Sequence, residues 1–66
     1  MIRLSPREHQ VCDLMVQGLR AREIGRSLGI SSRTVEDHRM HIMKKYQVRN
    51  VVQLVRAVYG IGEATE

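Results

Sequence analysis

The 66-residue sequence contains one cysteine, one proline, two tyrosines and neither tryptophan nor phenylalanine. A lone thiol, Cys12, excludes an intrachain disulfide. With three scattered histidines it offers none of the paired spacings of a structural zinc site, so no metal is expected. With only Tyr46 and Tyr59 to stack on, the chain lacks the aromatic platforms that single-stranded nucleic-acid readers use. No apolar run approaches the ~20 residues of a membrane span, and the amino-terminal residues lack the charged-then-apolar layout of a signal peptide. The chain is accordingly read as cytoplasmic, with no membrane partner. A sequence this short builds one core, so a single domain is expected over 1–66, with its body at about 4–60 and a tail at 61–66. Catalysis needs a nucleophile and a base fixed in a pocket, and a bundle this small offers no sizeable cleft. No enzyme activity, cofactor or small-molecule ligand is expected.

What the chain does have is basic charge. Eleven Lys and Arg stand against seven Asp and Glu, a formal +4, and two of the acids, Glu63 and Glu66, fall in the expected tail. The body is more basic than the total. Such an excess suits a nucleic-acid partner, although ordinary solvated surfaces also carry many Lys and Arg.

Caps and breakers place four helices and no strand, an all-α architecture. Ser5-Pro6-Arg7-Glu8 opens the first: Ser5 as N-cap, Pro6 at the first helical position and Glu8 completing a capping box. Val11, Cys12 and Met15 form its inward stripe, with Leu19 just beyond and Leu14 and Val16 flanking it, and Gly18 marks its end. The second helix, about Ala21 to Leu28, turns Ile24 and Leu28 inward, and Gly25 in its middle points to a close approach by the next helix. Gly29-Ile30-Ser31 is a tight turn in which glycine takes positive φ, isoleucine plugs the corner and serine caps the third helix. That helix runs from about Ser32 to Tyr46. Val35, Ile42 and Tyr46 line its core stripe, His38 and Arg39 its margins, while Arg33, Glu36, Asp37, Met40 and Lys44 cluster opposite. Asn50 caps a fourth helix, Val51 to about Tyr59, with Gln53 in the reciprocal position and Gly60 at its end. Its apolar arc is wide: Val51, Leu54, Val55 and Val58 form one stripe, and Val52 and Tyr59 extend it sideways.

Arg22-Glu23-Ile24-Gly25, then Leu28-Gly29-Ile30-Ser31-Ser32-Arg33-Thr34-Val35, then His38, Ile42 and Lys44-Lys45 resemble the LuxR-type (GerE or FixJ-type) bacterial DNA-binding domain. Leu4-Ser5-Pro6-Arg7-Glu8, the Gly18-Leu19 corner and Val48-Arg49-Asn50 leading to Leu54-Val55 fit the same pattern, so the resemblance spans about Leu4 to Tyr59. It implies a four-helix, bundle-like helix-turn-helix domain. The helix from Ser32 would be the recognition helix in the major groove, the one before it a brace, and the last a dimer interface through Val51, Val52, Val55 and Tyr59. The resemblance places base reading at Glu36, Asp37 and Met40, and phosphate contacts at Ser31, Ser32, Arg33 and Thr34. Helix-end chemistry agrees with the second assignment, since exposed amides and a positive dipole end suit a phosphate. Arg22 and Lys44 would grip the backbone on either side. Glu36 can accept from cytosine N4 and Met40 can lie against a thymine methyl. Arg39, on the margin, is open to a guanine, a phosphate or Glu36 itself. The chain departs from the family pattern at Arg20, where serine is common, at Gly25, often alanine, at Cys12, often leucine, and at Asp37, often apolar or basic.

The implied role is a transcriptional regulator, or the output domain of one, of response-regulator or quorum-sensing type. Its partners are double-stranded DNA, a second copy of the chain on that DNA, and, as a further candidate, RNA polymerase. Two rivals use the same fold. A promoter-reading sigma-factor domain would be monomeric and bound to polymerase, and a protein-interaction module that has lost DNA binding would account for Glu36 and Asp37.

Overall fold

The computed structural model describes residues 2–60, so the expected tail at 61–66 lies outside the described residues. Four helices follow one another, α1 (Pro6–Val16), α2 (Ala21–Leu28), α3 (Ser32–Tyr46) and α4 (Val51–Tyr59). No strand occurs among the described residues. No helix among them is long and apolar enough to cross a membrane.

The helix ends follow the local chemistry with three differences. At α1 the capping box is complete: the Ser5 hydroxyl accepts from the Glu8 amide at 3.2 Å and the Glu8 carboxylate from the Ser5 amide at 3.0 Å. The helix nevertheless stops at Val16, before Gly18, where the Leu19 amide closes on the Leu14 carbonyl at 3.1 Å. At α2 only half a box can form, because the guanidinium of the N-cap residue Arg20 has no acceptor. Glu23 supplies that half, accepting from the Arg20 amide at 2.7 Å. At α4 the Asn50 side chain accepts from the Gln53 amide at 2.8 Å as expected, but Gln53 reaches back to the Arg49 amide at 2.7 Å rather than to that of Asn50. One residue earlier, Gln53 satisfies a loop amide instead of the cap.

The core joins Val11, Cys12 and Met15 of α1, Ala21 and Ile24 of α2, Val35 and Ile42 of α3, and Leu54 of α4. Leu28, Ile30, Tyr46, Val51 and Val58 pack half-buried around it. The inward face of α2 is broader than Ile24 and Leu28 alone, since Ala21 and Gly25 are buried too. Small side chains carry little hydropathic signal, yet they let backbones meet. At Gly25 the meeting is with the turn itself: a Cβ there would stand 2.5 Å from the Ile30 carbonyl oxygen. Gly29 adopts φ +73°, and the Ile30 amide returns to the Gly25 carbonyl at 2.9 Å. The corner between α2 and α3 is therefore fixed by backbone against backbone, which leaves little freedom in how α3 is presented.

Candidate nucleic-acid interface

The Ser31 hydroxyl opens α3 by accepting from the Thr34 amide at 3.1 Å, and lies 2.9 Å from the Thr34 hydroxyl. One hydroxyl proton is shared between the two side chains, which leaves the other O–H to donate outward. Of the amides orphaned in the first turn, those of Ser32 and Arg33 remain directed along the helix axis, at its positive end. Ser31, Ser32, Arg33 and Thr34 are all exposed. This turn can accept an anion, with Arg33 adding a full charge.

Farther along, Glu36, Asp37, Met40 and Lys44 are exposed, Met40 at 68 %. With Arg33 they form the outer face set opposite the buried Val35 and Ile42. Arg39 sits half-buried on the margin, its Nη1 lying 3.5 Å from Glu36 Oε1. Arg22, Arg33 and Lys44 form no ion pair among the described residues, so their charge is available to a polyanion. Asp37 is likewise unpaired among them.

An open groove runs between this margin and the α1–α2 corner, a concavity not expected of so short a chain. Arg20, Arg22, Ser32, Glu36 and Arg39 line it, and Val51 closes its α4 side. Arg22, Ser32, Glu36 and Arg39 are thus brought together, whereas Asp37, Met40 and Lys44 lie elsewhere on the outer face. Arg20 is the residue that sequence reasoning missed. The signal was there: a residue without an acceptor at an N-cap position has no local reason to be there.

The carboxyl end of α3 is anchored by a buried charge that was legible only as a cap. Glu8, whose side chain is 9 % exposed, accepts from Lys45 Nζ at 2.7 Å, and His41 Nδ1 lies 3.9 Å from its other oxygen. Lys45 also donates to the Arg3 carbonyl at 2.9 Å. His41 is exposed, yet it lies beside a carboxylate that sequence reasoning had not put there. The hydrogen bond from Lys45, then that from the Ser5 amide, hold the Glu8 carboxyl below its ordinary value against the opposing effect of burial. Burial, with a smaller contribution from Asp13, pushes the Cys12 thiol up. No group of three or more His, Cys, Asp or Glu side chains among the described residues could hold a metal ion.

On α4 the four candidate interface residues divide. Val52 and Tyr59 are exposed at 62 % and 60 %, seven residues apart and so on one side of the helix. Val55 is half-buried beside them. Val51, also half-buried, faces the groove.

Residues 3–58 match the family described as bacterial regulatory proteins, luxR family. The chain is 41 % identical over 56 residues to the transcriptional regulatory protein UhpA of Escherichia coli (strain K12), covering 85 % of this chain and 29 % of that protein. It is 43 % identical over 61 residues to the transcriptional regulatory protein FixJ of Azorhizobium caulinodans, covering 92 % and 29 %. It is 38 % identical over 53 residues to the tetrathionate response regulatory protein TtrR of Salmonella typhimurium, covering 80 % and 26 %. The chain therefore spans under a third of the length of these relatives.

Proposed function

The chain belongs to the luxR family of bacterial regulatory proteins, whose helix-turn-helix domains bind DNA in transcription regulation, and from that premise we propose that it reads a specific duplex sequence through α3. The carrying observation is that a helix capped at Ser31 and fixed by a backbone-on-backbone corner presents Arg33, Glu36, Asp37, Met40 and Lys44 outward together. In this reading the first turn holds a phosphate with the Ser32 and Arg33 amides and the Arg33 side chain. Ser31 and Thr34 keep that turn in shape and add their unshared hydroxyl donor to the phosphate contact. Arg22 and Lys44 grip the backbone to either side, with Arg20 joining Arg22. These contacts set register and carry no sequence information. Base edges are left to Glu36, Asp37, Arg39 and Met40. Val52, Val55 and Tyr59 pair two copies on a roughly palindromic operator, one α3 per half-site. The relatives named above are regulatory proteins, and this chain acts as a DNA-binding transcriptional regulator or as the output domain of one.

The test is selection of bound duplexes from a random pool at two salt concentrations. The expected result is one enriched sequence and an affinity that falls steeply with salt, each phosphate contact contributing a slope of about −0.9. A flat salt response, with no enrichment, would overturn DNA binding and favour the protein-interaction rival, for which the unpaired Asp37 is the supporting observation.

A further inference from the structure

We propose that Arg39 and Glu36 act as one reading unit that selects a G·C base pair, an inference that rests on the assignment of α3 to the major groove. Three carboxylates border the recognition side. Glu23 is committed to the Arg20 amide at 2.7 Å. Asp37 has no ion pair among the described residues, and Glu36 faces Arg39 Nη1 at 3.5 Å. That distance is longer than the roughly 2.7–2.9 Å of a tight charge-assisted bond. The pair is loose and its Glu36 side chain is 57 % exposed, so it contributes little to the fold. Its placement is better accounted for by what the two groups meet outside the domain.

The chemistry is complementary. A carboxylate brought close to a polyanion is repelled unless a cation accompanies it, and Arg39 accompanies Glu36. Arg39 lines the groove, and its Nη1 faces the Glu36 carboxylate at the margin of the outer face. One of the five N–H donors of the guanidinium turns to Glu36, and the others remain for a base. Across the major groove a G·C pair presents guanine N7, guanine O6 and then cytosine N4–H₂, two adjacent acceptors followed by a donor. An A·T pair places its donor between two acceptors. A guanidinium fork beside a carboxylate fits the first order and not the second: Arg39 donates to guanine and Glu36 accepts from cytosine N4.

The experiment is duplex selection with the full chain, unchanged and carrying Glu36→Ala, Arg39→Ala or both, followed by affinities for the selected site and for the same site with one pair exchanged. Arg39→Gln is run beside Arg39→Ala, because it keeps most of the stem and separates lost packing from the lost fork. The unchanged chain should prefer G·C at one position by about fivefold to a hundredfold. Each single variant should flatten that same position, and the double variant should flatten it no further. The proposal fails if Arg39→Ala and Arg39→Gln keep the preference while weakening all duplexes alike, with a salt slope shallower by about 0.9, since Arg39 is then a phosphate contact. It also fails if the position sensitive to Glu36 prefers another pair. Enrichment of no sequence by the unchanged chain would overturn the reading of α3 and this inference together.

Discussion

The Glu8 carboxylate carries three duties at once: it completes the α1 cap, it holds Lys45, and through Lys45 it ties the end of α3 to the Arg3 backbone. Because its folded value lies below the ordinary 4.5, the stabilisation is fully present above the value of the unfolded chain and is lost as pH falls through the lowered folded one. Glu8→Gln should therefore cost about 1–2 kcal/mol at pH 7, a range reduced because Lys45 is partly in water. Urea denaturation across pH should show the gap between the two proteins closing in acid. A gap of the same size at pH 3 would mean that the charge is not its source. Gln47 poses a different question. It is a non-glycine residue at φ +57°, ending α3 where glycine or asparagine is usual. Gln47→Gly should relieve a strain of roughly 1 kcal/mol, partly offset by the greater entropy of the unfolded chain. We expect the thermal midpoint to rise by up to about 5 °C. A fall would show that glutamine is held there by contacts worth more than the strain. Neither role is written in its own residue type: a cap glutamate announces no distant lysine, and glutamine announces no left-handed turn.

Between α2 and α3 the decisive element is a contact that a side chain would destroy. Gly25→Val would drive its Cβ into the Ile30 carbonyl, and backbone there cannot rotate away as a flexible side chain could. The expected loss is about 1–3 kcal/mol, the usual range for overpacking a tight site. Duplex affinity should also fall at temperatures where the variant remains folded, because α3 is tilted on its brace. Unchanged affinity in a destabilised variant would separate the corner from DNA binding. All four helices were legible in the sequence because caps or glycines mark most of their ends, and Ser5 with Glu8, Gly29 with Ser31, and Asn50 all sit where that chemistry put them. The outer face of α3 was legible for a related reason: with Val35 and Ile42 inward, a 3.6-residue repeat leaves Arg33, Glu36, Asp37, Met40 and Lys44 outward. The groove was not legible, since it arises where Arg20 and Arg22 of one segment meet Ser32, Glu36 and Arg39 of another. Ala21 escaped for want of bulk, and the Glu8–Lys45 pair because 37 residues separate its members.

The three-helix body and α4 are unequal partners, and that inequality argues for a second copy of the chain. Leu54 is the single fully buried residue that α4 gives to the core, while Val52 and Tyr59 on its other side meet solvent. An apolar stripe pairing with itself about a twofold axis would bury each of these residues twice, once per copy. On DNA such a contact converts two half-site events into one. Adjacent half-sites lie about 34–36 Å apart along the duplex, and the energy that couples two sites is typically about 1–3 kcal/mol. Val52→Glu with Tyr59→Glu should leave the fold intact, because both side chains are already exposed. It should leave affinity for an isolated half-site nearly unchanged, or lower it modestly through the added charge. Affinity for the paired site should fall about tenfold to a hundredfold further. Titration of half-site and full-site duplexes, with sedimentation of each complex, separates these effects. Equal losses on both duplexes would mean that the stripe acts within one copy, and a full site still bound at its original strength would place the contact between copies somewhere other than α4.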